Sequence, residues 1–183
     1  MFQQIIDRYY SENGNRFARD ILIGHSRAVA DFALYINQAR HLGLADADVE
    51  EAAMLHDIGI ILTNAPGIGC NGLFPYIRHG VLGADILRQA GAPQEICNVA
   101  ERHTGVGLTI EDIKNQHLDL PTDRILVPQS LLEKLICYAD KFFSKRPGEL
   151  EKQKSLDKVI AEIRRFGNDN VTRFMELQRL FGE

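Results

Sequence analysis

The run Glu51-Ala52-Ala53-Met54-Leu55-His56-Asp57-Ile58-Gly59 carries small and apolar residues at helical spacing straight into an adjacent imidazole and carboxylate. A borderline nitrogen beside a hard oxygen suits a divalent transition metal. Neighbouring residues on a helix point about 100° apart, so this pair can straddle a cation only near the end of the helix, where the backbone turns. Gly59 follows at once and permits such a turn. Upstream, Asp48-Val49-Glu50-Glu51 resembles a capping box with Asp in the first position and is expected to open the helix.

On the N-terminal side, the spacing predicts a short helix over 2–12, ended by Gly14, and a second from about Arg16 to His41, closed by Gly43. Its apolar stripe is Ile21, Ala28, Val29, Phe32 and Ile36, and His25 lies on it. On the C-terminal side, Pro66, Gly67, Gly69, Asn71 and Gly72 mark a loop. A helix from Pro75 to Ala90 carries His79, Gly83, Ile86 and Leu87 on one face. Pro93 opens the next, whose row Ile96, Val99, Ala100 is completed by His103. Thr109 to Asp112 reads as a cap for a short helix, and 117–129 as an irregular connection holding Pro121 and Pro128. Ser130 to Glu133 reads as a capping box for a helix through about Lys145, stopped by Pro147-Gly148, with Asp140 at the margin of its apolar face. Two amphipathic helices, about 150–166 and 169–181, complete the chain. No strand alternation of useful length interrupts this pattern, so the expected class is all-α, a compact bundle of roughly seven to nine helices.

With 183 residues, 45% of them hydrophobic and 25% charged, the expectation is one domain over 1–183. The net charge of -4 argues against a general affinity for nucleic acid, though it leaves room for a local basic pocket. The N-terminus lacks the basic and apolar regions of a signal peptide, and no apolar run approaches the ~20 residues that span a bilayer. Cys70, Cys97 and Cys137 are odd in number and far apart, which points to free thiols and a cytoplasmic protein. Asn170-Val-Thr172 matches a glycosylation sequon and is read as chance.

His25, the His56-Asp57 pair, His79, His103 and Asp140 each fall on, or beside, a helix face expected to be buried. Any one of the histidines alone is more simply a core imidazole bonded to a backbone carbonyl, and Asp140 alone a solvated edge residue. Burying these groups unpaired costs on the order of 1–3 kcal/mol or more each. Convergence on a cation satisfies them together, and four helices each directing a histidine inward are not easily accidental. His41 and His117, at a helix end and in a loop, take the surface reading.

In order and spacing, His25, His56-Asp57 and Asp140 resemble the HD-domain superfamily of metal-dependent phosphohydrolases, and His56-Asp-Ile-Gly59 matches the form of its HDIG branch. The resemblance covers roughly residues 20–146, leaving the helices of 150–181 outside it, and implies an HD-domain-like helical bundle. Carried over by position, it implies that His25, His56, Asp57 and Asp140 bind one divalent metal. His79 and His103 look like the extra histidines of dinuclear members, with Asp57 bridging two ions and these three residues carrying the catalytic role. Fe or Mn is the expected metal, with Co, Ni, Zn or Mg also compatible. His103-Thr-Gly105 and Ala139-Asp-Lys141 with Arg146-Pro-Gly148 look most like the small dinucleoside tetraphosphatase-type members. The implied function is hydrolysis of a phosphoester or phosphoanhydride of a nucleotide or related small phosphate compound by a metal-activated water.

One departure stands out. Many members carry a Lys three residues after the motif Asp, and this chain has Ile60 there. Arg27, Arg78, Arg102, Lys141 and Arg146 are the candidates to hold substrate phosphate instead. The missing Lys motivates an alternative, a catalytically weak metal- and nucleotide-binding sensor module, and a helical interaction protein with a relic site is a third reading. The partners expected are a small nucleotide or phosphate ester and no membrane; a homodimer is left open.

Overall fold

The computed structural model describes residues 2–10 and 15–182. Among them are nine helices: α1 Phe2–Tyr10, α2 Arg16–Ala39, α3 Asp46–Leu55, α4 His79–Gln89, α5 Gln94–Arg102, α6 Ile110–Asn115, α7 Leu131–Asp140, α8 Leu156–Arg164 and α9 Asn168–Phe181. The expected end of the first helix at 11–14 lies outside the described residues. The only sheet among those described is a two-residue antiparallel hairpin, β1 Asn64–Ala65 with β2 Cys70–Asn71, inside the predicted loop. The all-α expectation is met.

One apolar cluster runs from Ile5 on α1 to Phe181 on α9, and α2, α3, α5 and α7 supply its centre. Of the predicted stripe on α2, Ile21, Val29 and Ile36 are buried. Phe32 is part-buried, its ring set against Phe142 and Phe143 at centroid distances of 5.2 and 5.9 Å. Ile60, the position that breaks the family pattern, is fully buried in this cluster.

Helix α8 starts at Leu156, capped by the Ser155 hydroxyl, rather than at about 150, and α4 starts at His79 after a 3-10 turn rather than at Pro75. Two further differences bear on the site. Helix α3 starts at Asp46 rather than after Asp48, and no side chain caps it. Asp46 accepts hydrogen bonds from the amides of Asn37 and Gln38 instead, tying the start of α3 to the end of α2. Helix α7 is capped by Ser130, whose hydroxyl accepts the amide of Glu133. It stops at Asp140, five residues before the predicted end. The chain then leaves the helical path, and the carbonyl of Phe142 accepts from the amide of Lys154 at 2.8 Å. Five more residues of helix would have put Lys145 about 140° round the axis from Asp140; the early stop lets both approach one point.

Gly59 serves a different purpose from the one its sequence position suggests. Its φ is not positive. A Cβ there would run into the carbonyl of His79 and the amide of Gly83, so the glycine lets the 3-10 turn Ile58–Leu62 lie directly on the backbone of α4. That close approach is what brings His79 beside Asp57.

Candidate metal centre

All six side chains singled out in the sequence meet in one place. Most come from helix ends. His56 and His103 are the C-cap residues of α3 and α5, and Asp140 is the last residue of α7. His79 opens α4, Asp57 starts the turn after α3, and His25 lies within α2. Three helix C-termini therefore converge, and their partial negative charge favours a cation between them.

The backbone dictates how three of the rings are held. His56 Nδ1 lies 2.6 Å from the carbonyl of Ala53, His79 Nδ1 2.7 Å from that of Tyr76, and His103 Nδ1 2.8 Å from that of Ala100. Each imidazole folds back on the carbonyl three residues earlier. Nδ1–H donates to that oxygen, so in the neutral ring Nε2 keeps its lone pair and points inward. His79 Nε2 and His103 Nε2 then face each other at 3.0 Å. Burial, reinforced for His79 by His103, lowers the pKa of both, that of His79 to about 3. Two neutral imidazoles presenting lone pairs to each other at this distance require a positive charge between or beside them.

Asp57 joins the two halves. Its Oδ2 lies 3.2 Å from His25 Nε2 and 3.0 Å from His56 Nε2, while its Oδ1 lies 3.5 Å from His79 Nε2 and 3.3 Å from His103 Nε2. Asp140 Oδ1 stands 3.0 Å from His25 Nε2 and 3.5 Å from His56 Nε2. His25, His56, Asp57 and Asp140 form one group of donor atoms mutually within 4.8 Å, and Asp57, His79 and His103 form a second. By hydrogen-bond geometry, neither oxygen of Asp57 nor Nε2 of His56 is satisfied, although all are buried. For His56, burial is the largest influence and pushes the pKa down, but Asp57 and Asp140 outweigh it and raise it to about 9. The carboxylates favour positive charge at this spot, which a divalent cation would supply. Mixed imidazole and carboxylate donors of this kind fit a divalent metal site.

The basic residues separate into those at the site and those elsewhere. Arg27 pairs with Glu50 at 2.6 Å across α2 and α3, Arg78 with Asp119 at 3.2 Å, and Arg102 with Glu133 at 3.0 Å. These three are engaged away from the cluster. Arg146 is exposed, on a small cavity under the hairpin. Lys141 is adjacent, its Nζ 2.7 Å from Asp140 Oδ2. The cation at the centre is Lys145, which the sequence reading missed. Its Nζ lies 2.6 Å from Asp57 Oδ2 and 3.8 Å from Asp140 Oδ1. Burial opposes its charge, and Asp57, Tyr76 and Asp140 hold it protonated. Lys145 belongs to no apolar stripe, and only the early stop of α7 reveals it. Tyr76 completes this wall, its ring stacked on that of His79 at 4.7 Å.

The model of the HD domain family matches residues 22–144. The chain belongs to the HD-domain family. Membership places it in the metal-dependent phosphohydrolase superfamily that the His and Asp pattern resembles. The fold agrees: the HD domain of L. monocytogenes phosphodiesterase PgpH superposes with a TM-score of 0.56 at 17% identity, covering 96% of this chain and 94% of that one. The same domain in complex with cyclic-di-AMP gives 0.55 at 18%, covering 96% and 92%. Two relatives carry the name tRNA (cytidine(56)-2'-O)-methyltransferase. That of Thermoplasma volcanium is 32% identical over 164 residues, 88% of this chain and 42% of that protein. That of Picrophilus torridus is 33% identical over 127 residues, 69% and 33% respectively. An uncharacterized protein of Methanocaldococcus jannaschii is 35% identical over 122 residues, 65% of this chain and 64% of its own length. The HD-domain chain thus spans less than half the length of the two methyltransferases. No helix among the described residues is long and apolar enough to cross a membrane.

Proposed function

We propose that this HD domain is a phosphohydrolase that cleaves a phosphoester or phosphoanhydride of a nucleotide or related small phosphate compound. The observation that carries the reading is Asp57, one buried carboxylate whose two oxygens each serve a separate group of donors. That arrangement supports two divalent ions, with His25, His56, Asp57 and Asp140 holding one and Asp57, His79 and His103 the other. Mn or Fe suits the donor set. When bound, such ions supply Lewis-acid polarisation of a phosphoryl group and lower the pKa of water. The chain's own residues do the rest. Lys145 and Lys141 offer positive charge to the non-bridging phosphoryl oxygens, in the role that the absent lysine at position 60 would have filled. His79 and His103, locked by their carbonyl bonds, keep their lone pairs on the reacting side.

The presence of Lys145 removes the motive for the sensor reading, since the site does have its cation. The name of the two methyltransferases favours a second reading, in which the phosphoester belongs to an RNA. The matched segment is the HD domain and covers a minority of each, so methyl transfer is not carried over to this chain. We further take 1–183 as one functional unit, a reading supported by the continuous core from Ile5 to Phe181. A cytoplasmic setting is supported by the three free, buried cysteines.

The test is chromatographic product analysis of a panel of mononucleotides, dinucleotides and short RNAs incubated in Mn2+, with Asp57→Ala as control. Turnover of a small nucleotide, abolished in the variant, is expected. Turnover of RNA alone favours the second reading, and no turnover of any substrate at full metal content returns the sensor.

A further inference from the structure

The turn that carries Asp57 is held from several sides. The carbonyl of Asp57 accepts the amide of Ile60 at 3.0 Å, at the start of the 3-10 turn. Gly59 lies directly against the backbone of α4. Between them, the carbonyl of Ile58 accepts a hydrogen bond from the hydroxyl of Tyr10 at 3.0 Å. Tyr10 is the last residue of α1 and is buried, 48 positions away from Ile58 in the chain. It precedes residues 22–144, the part that matches the family.

A buried tyrosine needs a partner for its hydroxyl. The partner taken here is the peptide that directly follows the carboxylate shared by the two donor groups. Burial pushes the phenol well above its ordinary pKa, so it stays a donor. The helix that delivers it is itself anchored. Ile5 and Ile6 lie in the core, and Asp7 pairs with Arg19 of α2 at 2.8 Å. A hydroxyl on a fixed helix therefore sets where the Ile58 peptide sits. Asp57 has a short side chain, and its two oxygens must fall among two separate groups of donors. A ligand set of this kind tolerates displacements of only about 0.5 Å, so the backbone at 57–58 has to be held.

Resting on the two-ion reading above, we infer that Tyr10 is a positioning residue for the metal centre: through the Ile58 carbonyl, its hydroxyl fixes the backbone at Asp57 so that one carboxylate serves both ion positions. Tyr10 is not among the donors, and it acts only through the peptide it holds. Loss of such an outer partner weakens metal binding by about 10–100-fold. Tyr10→Phe keeps the ring and its packing and removes the hydroxyl alone. Ile6→Val trims the same helix at another buried position and leaves the hydroxyl in place.

Mn2+ binding tests this, read from the paramagnetic resonance of free Mn2+ during titration of the full chain and of both variants. Each variant should melt a few degrees lower in the metal-free state. Only Tyr10→Phe should bind Mn2+ more weakly, by about tenfold or more, and at both positions, because Asp57 serves both. Unchanged affinity in Tyr10→Phe, an equal fall in Ile6→Val, or a fall confined to one position overturns the inference. Hydrolysis of bis-p-nitrophenyl phosphate by the unaltered protein in Mn2+ reads the hydrolase function separately. Turnover with Mn2+ affinity indifferent to Tyr10→Phe sinks the positioning role alone, and Tyr10-dependent Mn2+ binding without turnover sinks the hydrolase reading alone.

Discussion

Lys145 is the residue on which the functional reading turns, because it meets Asp57 Oδ2 at 2.6 Å from outside the family's sequence pattern. Lys145→Ala should lower kcat by about 10²-fold, in the range seen when one preorganised charge-stabilising group is lost. Its metal content should stay unchanged, since an ammonium is no ligand. Loss of metal along with activity would assign Lys145 a structural role. The reverse experiment is Ile60→Lys, which restores the family residue in sequence only. Ile60 is fully buried in the core, so the change should cost stability by about 2 kcal/mol or more and raise no activity, which thermal melting and a rate assay would check. The thiols give a third check at this scale. Burial pushes Cys137 up to about 11, and Cys70 and Cys97 are also enclosed. A thiol reagent at pH 8 should find no fast-reacting cysteine in the native protein and three in denaturant. Legibility in the sequence followed helical register: His25, His79 and His103 continue apolar rows, the His56-Asp57 pair ends one, and Asp140 stands at the margin of another, whereas Lys145 lies past a helix end that no residue type announces.

At the scale of elements, the ends of helices organise the site. Their unpaired carbonyls would be left over in any bundle, and here two of them, those of Ala53 and Ala100, fix imidazoles of the cluster, while His79 is held by Tyr76 in the 3-10 turn ahead of α4. The sequence announced the caps of α6 and α7 correctly, through Thr109 and Ser130. It misplaced the start of α3, because the carboxylate of Asp46 is taken by Asn37 and Gln38 in a tertiary bond that no local pattern encodes. The packing of the Ile58–Leu62 turn on α4 was likewise invisible, as the glycine that allows it reads equally well as a turn residue. Gly59→Ala should force those two backbones apart and destabilise by about 1–3 kcal/mol. Displacing His79 from Asp57 should also empty the second metal position before the first. Thermal melting and metal analysis of that variant would register both effects, and an unchanged melting curve would mean that the contact carries no strain.

For the whole molecule, the cluster joins α2, α3, α4, α5 and α7 through side chains, so a bound cation acts as a cross-brace. Binding to the native state alone adds stability. Chelation should lower the melting temperature by several degrees, and Mn2+ should restore it. The all-α class followed from the sequence because every amphipathic stretch has helical period. The cavity of ≈ 350 Å³ beside the cluster did not, since its walls combine the turn before α4, the stretch between α5 and α6, the end of α7 and α8, which are far apart in the chain. The bridging role proposed for Asp57 is tested most directly by counting ions. Metal content per chain, measured by plasma mass spectrometry after reconstitution with Mn2+ or Fe2+, should be close to two in the unaltered protein, close to one in His103→Ala and close to none in Asp57→Ala. No bound metal in the unaltered protein, or the same content in all three, would contradict it.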